Sequence, residues 1–301
     1  MRDSNPRIPF RLASARPAYP PPSGGRLIVH VVVNVECWRF DQPMPRTVLS
    51  APQGKESVPD VPNFAWAEYG LRCGMTRLFD SLHRRQLPVS CAMNAQIVET
   101  YPGIAERALE YDWEIIGHGL HQRALPAEDD EASVIRRALE ILRGYSGQAV
   151  RGWLGPGLRE SDSSPDLLKE QGIEYIFDWV LDDLPCWMRS VHGPLIAMPY
   201  TLEINDSVLF AVQNHRGEEF LQRGLDTLAC FERERPDQAR MITLALHPHL
   251  IGVPHRIGYL ERLLDHLQSH TETVFMTGQK IADWFRSVAA EELHTLDNAG
   301  E

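Results

Sequence analysis

The chain has 301 residues, 43% of them hydrophobic, enough to bury a large core, and α/β barrels of this length are usually one domain. Its formal net charge is -11 with no lysine or arginine run, so the cationic footprint that nucleic-acid backbones or anionic membranes require is missing. No window approaches about 18 uninterrupted apolar residues, and Met1-Arg2-Asp3-Ser4-Asn5-Pro6 lacks the apolar core of a signal peptide. The sequence therefore reads as a cytoplasmic protein with neither nucleic acid nor membrane as a partner. Cys37, Cys73, Cys91, Cys186 and Cys230 are odd in number and form no C-x-x-C pair, so they read as reduced, mostly buried thiols.

Residues 1–25 carry Pro6, Pro9, Pro17, Pro20, Pro21 and Pro22, a density that forbids regular helix or central strand. This segment is expected to be an arm, with Ile8, Phe10, Leu12 and Tyr19 to bury against the barrel or a neighbouring subunit. Residues 26–301 are expected to form one catalytic domain. Leu27 to Val35 is a valine-rich apolar run, as a strand covered on both faces would be. A long irregular stretch to Pro62 follows, of the length usually reserved for functional or capping loops. From there helices alternate with strands. A helix over Phe64 to Arg85 precedes a strand from Pro88 to Met93, and helix Ile104 to Tyr111 precedes strand Trp113 to Gly117. Helix Ala132 to Tyr145 leads to strand Ala149 to Leu154, and helix Ser164 to Gln171 to strand Glu174 to Phe177. Leu195 to Pro199 is expected to pair with Ser207 to Val212. Helix Glu218 to Arg235, strand Met241 to His247, helix Arg256 to His270, strand Thr273 to Met276 and helix Gly278 to Ser287 complete the pattern. The fold class is α/β, a distorted (β/α) barrel of about seven or eight βα units around a parallel sheet. Leu71, Phe79 and Trp284 are assigned to its core.

Three of these strands end in polar groups. Asn34 and Glu36, two residues apart, point to one face of the first strand. His118 and His121 lie in the small-residue turn that follows Glu114 to Gly117, and His247 follows Leu244-Ala245-Leu246. Each has a plain structural reading as well: a polar pair at a strand end, an ordinary histidine turn, a satisfied core histidine. Arg151-Gly152-Trp153-Leu154-Gly155-Pro156-Gly157-Leu158-Arg159 sets two arginines and a tryptophan around a turn. It reads either as a guanidinium aimed at a substrate beside an aromatic wall or as a solvated surface turn.

Taken together, N-x-E at Asn34 and Glu36, G-H-G at residues 117–119, R-G-W-L-G-P-G at 151–157, D-D-L-P-C-W at 182–187, M-P-Y-T-L-E-I-N-D at 198–206 and A-L-H-P-H-L-I-G-V-P-H-R at 245–256 resemble the polysaccharide deacetylase superfamily and its NodB homology domain. Within it the chain looks most like the branch of allantoinases and related cyclic-imide or peptidoglycan-deacetylase-like proteins. The resemblance spans about residues 25 to 288. It implies a distorted barrel hydrolase that cleaves non-peptide C–N bonds. Metal-dependent members take a base and a metal ligand from an acidic pair on the first strand, two further ligands from histidines, and an acid from a late histidine. Here Asn34 stands where the base is expected, and the position four after His118 is Gln122, with His121 one residue early. Two alternatives stay open for the cofactor: Glu36, His118 and His121 hold a zinc-type divalent metal, or Gln122 fills the slot and the site is metal-free.

The roles expected from these positions are Glu36 activating water, directly or through an ion, and His247 protonating the departing nitrogen. His118 with Asn34 would donate to the carbonyl oxygen. Arg159 or Arg151 would orient substrate, Trp153 and Trp187 would shape the pocket, and Asp206 would line the site and fix His247 or be a loop-end aspartate. The favoured function is hydrolysis of a small cyclic ureide or imide, with a small-molecule substrate as partner and a homo-oligomeric state. The competing readings are a metal-dependent deacetylase of N-acetylated sugars and a non-catalytic binding barrel. A capped cavity would favour the first and an open groove the second.

Overall fold

A computed structural model of the chain describes residues 4–293 and 296, apart from 52, 53, 55, 56 and 235–237. The organising element is β1 (Leu27–Val35), buried along its whole length as its unbroken apolar run requires. β2 (Ser90–Met93) lies on one side of it and β8 (Arg240–Leu246) on the other, both parallel, with Asn34 opposite Ala92 and Val33 opposite Leu246. Beyond β2 the sheet continues in parallel through β3 (Glu114–Gly117), β4 (Gly152–Trp153), β5 (Tyr175–Ile176) and β7 (Leu195–Ala197). β9 (Thr273–Phe275) pairs with the first residues of β1. The crossovers are helical: α1 (Val61–Tyr69) runs through a wide turn at Gly70–Gly74 into α2 (Met75–His83), then come α3 (Ile97–Thr100), α4 (Pro102–Glu110), α5 (Glu131–Ser146) and α6 (Ser164–Glu170). α7 (Gly217–Arg233), α8 (Ile257–Ser269) and α9 (Gly278–Val288) follow. The expected α/β barrel and its alternation are thus found, with Arg235 of the expected α7 outside the described residues.

One pairing differs. Leu195–Ala197 joins β5 in parallel and β6 (Cys186–Met188) antiparallel, whereas Ser207–Val212 forms a wide helical turn. A short apolar run such as Ser-Val-Leu-Phe-Ala-Val fits a buried strand or a buried turn equally well by periodicity. The preceding Asp206 settles the matter, because its carboxylate accepts the backbone N–H groups of His247 and Ile251 and so anchors the segment at the end of β8.

Alternation along each strand divides the core. Val29, Val31, Val33, Cys91, Ile115 and Trp153 pack under the helices, while Ile28, Val32, Ala92, Ile116, Leu154 and Ala245 fill the barrel interior. Towards the strand starts the interior is floored by a buried polar layer. Glu114 accepts from the N–H groups of Gly278 and Gln279, each at 2.7 Å, and from the hydroxyls of Ser90 and Tyr175. The first two of these bonds tie a carboxylate to the start of α9, where the helix dipole favours negative charge.

The N-terminal arm clasps the barrel of its own chain. Tyr19 is buried edge-on against Trp284 and Phe285, and the Trp284 indole donates to the Pro20 carbonyl at 2.9 Å. Ile8 is buried, but Phe10 and Leu12 stay exposed, so half of the apolar residues expected to pack do so. Leu71 is partly buried and Phe79 and Trp284 are buried, while among the thiols only Cys37 and Cys91 are. Among the described residues no helix is long and apolar enough to cross a membrane.

Candidate active site

The carboxyl ends of β1, β3 and β8 open into one cavity of about 1010 Å³. The strand period decides what reaches it. On β1 the interior positions run Ile28, His30, Val32, Asn34; on β8 they run Met241, Thr243, Ala245 and on to His247; on β3 they run Glu114, Ile116 and on to His118. Asn34, Glu36, His118 and His247 all line the cavity and are all buried.

His247 is held from behind. Its Nδ1 lies 2.6 Å from Asp206 Oδ1, its backbone N–H donates to Asp206 Oδ2 at 2.7 Å, and Asp206 is fully buried. That fixes the imidazole tautomer and aims Nε2 at Glu36 Oε1, 3.5 Å away. The gap is longer than a good hydrogen bond, so both atoms retain the freedom to engage a molecule beside them. Burial works to lower the His247 pKa, but the Asp206 charge and hydrogen bond, with the Glu36 carboxylate, outweigh it and raise the pKa above the usual value. Glu36 is raised too, by burial, with His247 and Arg46 working against that shift. The result is a buried acid–imidazole–acid chain whose central group tends to be cationic.

His118 is wired the opposite way. Its Nδ1 lies 2.5 Å from the Leu154 carbonyl, which can only accept, so the proton sits on Nδ1 and Nε2 carries a lone pair. Burial lowers its pKa to about 4, and Nε2 is buried with no partner among the described residues. This corrects the donor role expected for His118: in its neutral form the cavity-facing nitrogen accepts. Asn34 is corrected as well, because its amide is committed. Nδ2 lies 2.9 Å from the Tyr200 hydroxyl and 3.2 Å from the Leu246 carbonyl, and the Tyr200 hydroxyl lies 3.1 Å from Oδ1. Asn34 shapes the site floor and has no amide proton left for substrate.

Of the remaining expected residues, Arg159 and His121 line the cavity. Arg151 does not: it pairs with Glu174 and Asp283 near the strand starts, since it precedes β4 instead of following it. Trp153 faces the helices, where its ring packs against Gly117, because the interior position is its neighbour Leu154. Trp187 packs on Phe285 and donates to the Ala289 carbonyl at 2.9 Å, away from the cavity. Asp206 touches His247 in place of substrate.

The structure adds residues that the motifs left unassigned. Trp38 hydrogen-bonds Glu36, and the same count of two that pairs Asn34 with Glu36 would have reached it. Tyr200, His249 and Arg46 also line the cavity. The loop carrying His247 and His249 is pressed against the wide turn at Gly70–Gly74. A Cβ at Gly70 would lie 2.4 Å from the His249 nitrogen, and one at Gly74 2.0 Å from the Pro248 oxygen, so glycine is required at both. Arg46 comes from the loop after β1, which lines the cavity together with Trp66; no described residue of the proline-rich arm does.

A zinc-type ion does not fit this donor set. Among the described residues no three His, Cys, Asp or Glu side chains are placed to share an ion, so the set Glu36, His118 and His121 is not assembled. His121 sits beside Arg39 and Asp41 instead, and the neighbouring polar groups, Asn34 and Gln122, are amides. Gln122 is engaged by the Asn94 amide at 3.3 Å.

Acid and imidazole groups converging at the carboxyl ends of a curled, mostly parallel sheet define a barrel of the deacetylase kind. The sequence model of the polysaccharide deacetylase family matches residues 66–176, and the chain is similar to proteins of that name. It is 28% identical to a probable polysaccharide deacetylase of solved structure from Pseudomonas aeruginosa, with TM-score 0.79 over 90% of this chain and 95% of that one. The structure of Puue allantoinase superposes with TM-score 0.81 at 24% identity, over 91% of this chain and 95% of that one, a likeness of fold. A putative polysaccharide deacetylase of Schizosaccharomyces pombe is 26% identical over 234 residues, 71% of this chain and 73% of that protein.

Proposed function

We propose that the protein hydrolyses a non-peptide C–N bond in a small cyclic ureide or imide without a metal ion. The observation that carries this reading is the chain Asp206–His247–Glu36, buried in a cavity that the loop after β1 helps to line. A cavity of about 1010 Å³ is of a size that takes a small molecule.

Each step follows from an atom already placed. Glu36 takes a proton from water as its oxygen attacks a ring carbonyl carbon. The His247 imidazolium, held by Asp206, then gives its Nε2 proton to the ring nitrogen as the C–N bond breaks. The ring opens to a carboxylic acid, which loses its proton to solvent, and a free amide or amine. The proton on Glu36 returns to His247 across the 3.5 Å gap, which restores the starting state. His118 Nε2 accepts a hydrogen bond from a ring N–H, a role a ureide or imide can fill and an ester cannot.

The purified protein offered allantoin, hydantoin, succinimide and N-acetylglucosamine oligomers should open at least one ring and release no acetate. Acetate release from the oligomers with every ring left intact would overturn the proposal. No hydrolysis of any of the four would leave a binding role ahead.

A further inference from the structure

Four arginines line the cavity of a protein whose net charge is -11: Arg39, Arg46, Arg123 and Arg159. Two are answered, Arg39 by Asp41 at 2.6 Å and Arg123 by Glu128 at 3.7 Å. Among the described residues Arg46 has no carboxylate within ion-pair distance, its one hydrogen bond going to the Ser207 hydroxyl, and Arg159 has no polar partner. Arg46 is partly buried, and its charge is felt at Glu36, His247 and His249. A guanidinium presents five donors in a planar fork, so a single hydroxyl leaves most of them unused.

We infer that the substrate carries a carboxylate outside the scissile ring and that Arg46 reads it, with Arg159 drawing the anion to the mouth. This rests on the proposed ring hydrolysis and narrows it to an anionic ureide or imide. A carboxylate matches the guanidinium fork bidentately and answers a positive charge the protein leaves open. Toward a neutral ring the same charge could act only on the oxyanion formed during attack.

Hydantoin and hydantoin-5-acetate share a ring and differ by one carboxylate. The wild-type protein should favour hydantoin-5-acetate by about 10- to 100-fold in kcat/KM, the scale of a charge-assisted bidentate contact. In Arg46→Met that ratio should fall toward one, mainly through a raised KM, and Arg46→Lys should keep part of it. Calorimetric binding of both rings to Glu36→Gln, with and without Arg46→Met, reads the same preference with turnover removed. Equal handling of both rings by the wild-type protein, or a ratio unmoved by Arg46→Met, overturns the inference while ring hydrolysis stands. An equal fall in kcat for both rings would also overturn it and make Arg46 a stabiliser of the oxyanion. Preference for the anion in binding, with neither these rings nor allantoin and succinimide hydrolysed, would sink the hydrolase proposal and leave the anion site intact.

Discussion

Replacing Glu36 with glutamine should lower kcat for ring opening by about 10²- to 10⁴-fold, the range for loss of a positioned general base. The amide has the same shape but cannot take the proton of water. Burial raises the Glu36 pKa, which means the folded protein holds this carboxylate at a cost. Glutamine removes that cost, so thermal unfolding should occur at the same temperature or higher. Loss of activity together with loss of fold would point to a structural role. Near-normal turnover would show that the base lies elsewhere.

The second large effect belongs to Asp206→Asn. Asparagine would still meet His247 but would remove the charge that offsets burial of the imidazole. A fall of about 10³-fold in kcat/KM is expected, as for carboxylates that orient a catalytic histidine. The pH profile separates this from a packing defect. With Glu36 raised above its usual value, protonation on acidification ends its action as a base, so the acid limb lies above about 4.5. With His247 raised, the proton it must donate persists to a higher pH than usual and is lost on the alkaline side, above about 6.5. Because the two groups face each other, both limbs belong to the pair. Asp206→Asn should move the alkaline limb to lower pH. An alkaline limb that stayed in place would contradict the assignment of Asp206 to His247.

Strand positions were legible because burial leaves a period in the sequence. Leu27–Val35 needed only its apolar run, and Asn34 with Glu36 needed only the alternation that places both inward. The same alternation, applied to Gly152-Trp153-Leu154, would have sent Trp153 to the helix side. Arg151 was misplaced because a motif shows which residues are near in sequence and not which end of the strand they occupy. His118 illustrates a deeper limit. Its residue type fits donor, acceptor and metal ligand alike, and only the Leu154 carbonyl, 36 positions away, chooses among them. Arg46 left no local signal at all, since a loop between prolines carries no period to say which way its side chains turn.

The account stands most directly on whether ring hydrolysis runs on the protein's own groups. The measurement is the kcat of ring opening before and after the purified protein is stripped with a chelator, with metal content determined on the same samples and zinc then added back. The account predicts an unchanged rate at metal contents far below one per chain and no gain on adding zinc. A rate that vanishes on stripping and returns with zinc would contradict it.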